Sequence, residues 1–145
     1  MVTRTWVRLG LVALAVPQLV TGIWAVFDPS GWYEDFPGFG PSLVAAEPPY
    51  NAHLATDAGA GFLATGVILL LGAAWGHRRE ITLALVGYLA FAVPHTVFHV
   101  RNDAPGLTDG ENTQNVATLV ISAALPLVLL WGNRAPATEA SDADG

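Results

Sequence analysis

The chain has no cysteine among its 145 residues, which removes disulfides, thiolate metal sites and thiol redox chemistry from consideration. Charge is scarce as well: Asp, Glu, Lys and Arg make up 12% of the residues against 52% hydrophobic, and mean hydropathy is +0.45. A soluble domain of this length carries more polar surface than that, so a membrane protein is the default reading. An excess of basic residues is lacking too. Net charge is −6 and the pI near 4.9, which argues against a nucleic-acid partner. No Gly-rich phosphate loop, H-E-x-x-H pair or Ser-His-Asp order is present.

What the chain does have is long apolar runs, at 6–27, 54–75, 81–100 and 113–131. Each is close to the roughly 20 residues that a helix needs to cross about 30 Å of hydrocarbon. The expected fold is therefore all-α, an up-down bundle of four transmembrane helices within a membrane domain at 1–132. Residues 133–145, "NRAPATEASDADG" from its asparagine on, have the composition of a disordered tail. Arg4 and Arg8 precede the first run, Arg78 and Arg79 join the second to the third, and Arg134 follows the fourth. Arginines near span ends stay on the cytoplasmic side, so both termini are expected inside and the chain in the cell membrane as a multi-pass protein. The connections 28–53 and 101–112 carry seven acidic residues against Arg101 alone and are expected outside. Trp6, Trp24, Trp75 and Trp131 fall near span ends, as interfacial anchors do.

Two regions invite alternatives. Arg4 and Arg8 followed by "LGLVALAV" resemble the start of a secretory signal, but the apolar run continues past a usual signal core and no small-x-small cleavage site follows. A retained first span is expected. The connection 28–53 mixes Trp32, Tyr33, Phe36 and Phe39 with prolines and glycines. Such a segment either caps the outer mouth of the bundle or rests as an aromatic loop at headgroup level.

Ionisable residues inside or beside the spans are the candidate site. His53 and Asp57 are four apart in "YNAHLATDAGAGFLATG", and His95 and His99 are four apart behind Pro94 in "AVPHTVFHV". Residues so spaced stack on one helix face. If the second and third spans form an antiparallel hairpin around "GHRRE", counting at about 1.5 Å per residue puts Asp57 level with His99, with His95 one turn deeper and His53 one turn shallower. The same count across the next connection brings Asn115 and Gln114 near His99, with Glu111 one turn above. Intramembrane ionisable groups usually face the bundle interior and pair. Pro94 frees the carbonyl of Ala90, and a kink there would re-aim both imidazoles.

Three uses of such a cluster stay open: a metal site, a metal-free proton or acid/base site, and helix packing. In the first, Asp57, His95 and His99 bind Zn, Cu or Fe, His53 adds a fourth ligand, Glu111 acts as acid or base, and Asn115 and Gln114 stand behind the ligands. The protein is then a membrane metalloprotein, or an enzyme on an apolar small molecule entering from the bilayer. In the others it is an accessory or transport-associated bundle with membrane-protein partners. A haem held by His53 and one of His95 and His99 is a further alternative, with Gly59 and Gly61 leaving room. Close helix packing through Gly59, Ala60, Gly61, Ala64 and Gly66 is the simpler account of those glycines. His77 reads as a solvated loop residue. "YNAHLATDAGAGFLATG", with "FPGFGP" before it and "VPHTVFHV" after it, resembles small four-span membrane proteins of actinobacteria over most of the chain up to Trp131. That resemblance implies the span count and no activity.

Overall fold

A computed structural model describes residues 5–134; Arg4 and the tail beyond Arg134 lie outside the described residues. The described residues form α1 (Thr5–Phe27), α2 (Pro29–Asp35), α3 (Ala52–Trp75), α4 (Arg78–Arg101) and α5 (Asp109–Arg134), with no strand among them. All but α2 are long and apolar enough to cross a membrane. The fold is an all-α four-helix bundle. Each long helix overruns its apolar stretch, because helix ends are set by caps as well as by hydropathy. α5 starts four residues before Thr113 and includes Asn133 and Arg134, which hydropathy assigned to the tail. Pro17, Pro94 and Pro126 lie inside helices that continue through them.

Glycines set the tightest interface. α1 and α3 run antiparallel with Gly22 against Leu63, Gly59 against Ala25 and Val26, and Gly66 against Leu19. A Cβ added at Gly22 would lie 2.5 Å from the backbone nitrogen of Leu63, and one at Gly59 2.8 Å from Ala25 Cβ. Small residues let two backbones approach where lipid supplies no hydrophobic drive. Gly61 is different, with nothing within 4 Å of an added Cβ. The packing reading holds for Gly59 and Gly66, and the space above Gly59 belongs to α1.

The main core lies toward the arginine-bearing end: Val7, Leu11 and Leu14 of α1, Leu69 of α3, Ile81, Leu85 and Tyr88 of α4, and Leu129 of α5. That end is also stapled by polar groups. Arg8 Nε donates to Ala73 O at 2.7 Å, beside Gly76, whose left-handed φ of 70° closes α3. Asn133, fully buried, donates from Nδ2 to Arg78 O and to Thr82 Oγ1, each at 3.0 Å. Arg8, Arg78 and Arg134 therefore share one end of the bundle, as their spacing required.

At the opposite, acidic end the connection after α1 folds as a cap. Asp28 starts α2 by accepting from Gly31 N at 3.0 Å, with Pro29 at the first helical position. α2 buries Trp32 against Ala25 and Ala55, with Phe36 at a ring distance of 6.0 Å. The chain then reaches the α4–α5 connection, where Gly106 N donates to Ala46 O at 3.1 Å. The segment thus packs on α1 and α3 and reaches the connection between α4 and α5. α5 is the least covered long helix, 17% of its apolar window being buried against 39% for α1.

Candidate functional site

Helical register places the candidate residues at the expected depths. Gly72 meets Ala84, and Phe62 meets Phe91 and His95, as a hairpin around Gly76 and His77 requires. Thr96 Oγ1 approaches Leu119 O at 3.4 Å, which sets Val116 opposite His99, within one residue of the anticipated Asn115. Depth alone does not bring side chains together. The covered face of α3 carries Ala55, Gly59, Gly66, Leu69 and Ala73. Asp57 is two residues from both Ala55 and Gly59, which turns it about 160° away at 3.6 residues per turn.

The expected meeting of Asp57 with His95 and His99 is thereby corrected. His53 Nε2 and Asp57 Oδ2 pair with each other at 3.2 Å, their side chains 81% and 63% exposed, on the outward face of α3. Among the described residues no group of three or more His, Asp or Glu side chains is arranged to hold one metal ion. The imidazoles of α4 do form a pair. His95 and His99 stand edge to face with ring centroids 4.9 Å apart. His95 is half-buried, stacked on Phe91 at 5.6 Å and 14°, with the Phe62 ring at 6.5 Å. It faces α3 through Phe62, while His99 turns toward α5.

His99 lines an open cleft of about 270 Å³ between the acidic ends of α4 and α5, together with Val100, Asp103, Asp109, Asn112, Thr113 and Val116. Asn112 is 8% exposed and shapes the cleft by holding the connection. Its Oδ1 accepts from Ala104 N at 2.9 Å, and its Nδ2 donates to the carbonyls of Ala104 at 3.3 Å and Leu107 at 3.4 Å. Asn115 and Gln114, expected beside His99, do not line the cleft; Gln114 is exposed.

Glu111 has another task. Its Oε2 accepts from both the backbone N and the Oγ1 of Thr108 at 2.8 Å, and Glu111 N donates to Thr108 Oγ1 at 3.4 Å. This is a capping box, T-x-x-E, that starts α5. Its carboxylate is committed to the helix end rather than held ready as an acid or base. The motif stands in the sequence as "TDGE", and it would have moved the start of the helix up to Asp109 and revealed Asn112 and Thr113. No protein-family model, curated protein or solved structure matches the chain.

The arrangement offers two imidazoles in series, one at a cleft open to the surface and one among aromatic rings. Neutral imidazole both donates and accepts protons near neutral pH, and a neighbouring pair can pass one along. The side chains flanking His99 in the cleft include two carboxylates and no cation.

Proposed function

We propose that the protein is an accessory or transport-associated membrane bundle in which His99 and His95 relay protons between the cleft at the acidic end and the apolar interior. Continuity carries this reading: His99 borders the cleft, and its ring centroid is 4.9 Å from that of the half-buried His95. Ionisable residues placed within a span commonly serve proton movement.

The reading is tested by nitrogen-15 NMR of the histidine rings in nanodiscs. His99→Gln is expected to slow solvent exchange of the His95 ring proton at least about tenfold, an effect of about 1.4 kcal/mol on a barrier. Unchanged His95 exchange in that variant would overturn the relay. Stoichiometric metal in purified protein, lost in His95→Ala or His99→Ala, would replace the relay by a coordination site, and a visible-range pigment by haem.

A further inference from the structure

A second opening lies at the arginine end, on the lipid side of α4. Arg78, Arg79, Thr82 and Leu83 line a groove of about 390 Å³. Its polar atoms divide into two sets. Thr82 Oγ1 is occupied, donating to Arg78 O at 2.8 Å and accepting from Asn133 Nδ2. Among the described residues the guanidinium groups are nearly unused. Arg78 makes one bond of 3.3 Å to Arg134 O, and among the described residues neither arginine is ion-paired with a carboxylate.

The groove also opens onto an aliphatic stripe. Leu83, Val86, Ala90 and Val93 follow one another at steps of three and four residues, and all four are exposed on α4. That spacing is one face of a helix. A guest that satisfies this surface has an anionic head with paired oxygens for the guanidinium forks and an apolar tail for the stripe. Free phosphate matches the head and leaves the tail contact empty.

We propose that the groove binds an anionic phospholipid of the leaflet at the arginine end, its phosphodiester held by Arg79 and Arg78 and one acyl chain laid along Leu83 and Val86. Basic groups at this level attract anionic headgroups. Here the two arginines are joined to a groove and a tail track on one helix face, so the site selects one lipid molecule rather than a charged surface in general.

Native mass spectrometry of the full chain in detergent, titrated with phosphatidylglycerol, phosphatidylcholine or inorganic phosphate, tests this. One phosphatidylglycerol per chain is expected, held about tenfold more tightly than phosphatidylcholine, and the double variant Arg78→Gln/Arg79→Gln is expected to erase the preference. Leu83→Asn is expected to weaken both lipids. Arg101→Gln, at the opposite end, is expected to leave retention unchanged. The proposal is overturned if the double variant keeps the preference, if Arg101→Gln removes it equally, or if inorganic phosphate binds as well as the lipid. A gain in phosphatidylglycerol binding on deleting residues 136–145 would also overturn it, because it would make the acidic tail of this chain the groove's occupant.

Discussion

The two halves of the bundle are held together in different ways. α1 and α3 approach through glycines until the backbone of one helix meets that of the other, with Arg8 donating to the carbonyl of Ala73 at the arginine end. α4 and α5 are bridged instead by Asn133, which donates to Arg78 O and Thr82 Oγ1 at one end, while at the other Asn112 holds the connection between them through Ala104 and Leu107. Backbone packing leaves no space, whereas bridging leaves a cleft wherever the bridge is shorter than the helix. The cleft beside His99 lies between the acidic ends of α4 and α5, whereas the groove beside Arg79 is lined by α4 alone. The glycine half is closed along its contact, and the bridged half opens beside His99.

Substitutions sharpen this contrast, and the largest effect is expected at Gly22. Gly22→Val drives methyl groups into the Leu63 backbone, which cannot rotate away, and is expected to cost about 3 kcal/mol, the upper part of the overpacking range. Thermal unfolding in micelles followed by circular dichroism should show it, while Gly61→Ala, in open space, should be neutral or slightly stabilising through helix propensity. Equal effects at the two glycines would mean that Gly22 does not hold a backbone-to-backbone contact.

A smaller loss is expected for Asn133→Ala, about 1–2 kcal/mol by the same measurement, since it removes the two hydrogen bonds by which α5 reaches Arg78 O and Thr82 Oγ1. Asn112→Ala is expected to cost about 1 kcal/mol. Its signature is local: amide exchange at Ala104 should accelerate while α1 and α3 stay protected. Smallest of all is Glu111→Ala, expected to fray only the first turn of α5, read as faster exchange at Thr108 with an unchanged unfolding midpoint. A large midpoint shift there would mean that Glu111 does more than cap.

The four spans and the gathering of Arg8, Arg78 and Arg134 at one end were legible in the residues. Transfer of an apolar run into lipid is a local, nearly additive property, so a run of the right length declares itself wherever it sits. Depth was legible too, because a two-residue turn between α3 and α4 fixes register by counting. The direction each side chain faces was not. Asp57 sits at the level of His99 as counted, yet it turns outward because Gly59 and Gly66 commit the other side of α3 to α1, and that commitment depends on which helix packs where. The amino-acid order thus determined how many rods are long and apolar enough to cross and how deep each polar group lies. Only tertiary packing decided which of those groups face one another, since rotation about a helix axis is set by its neighbours and not by its own composition.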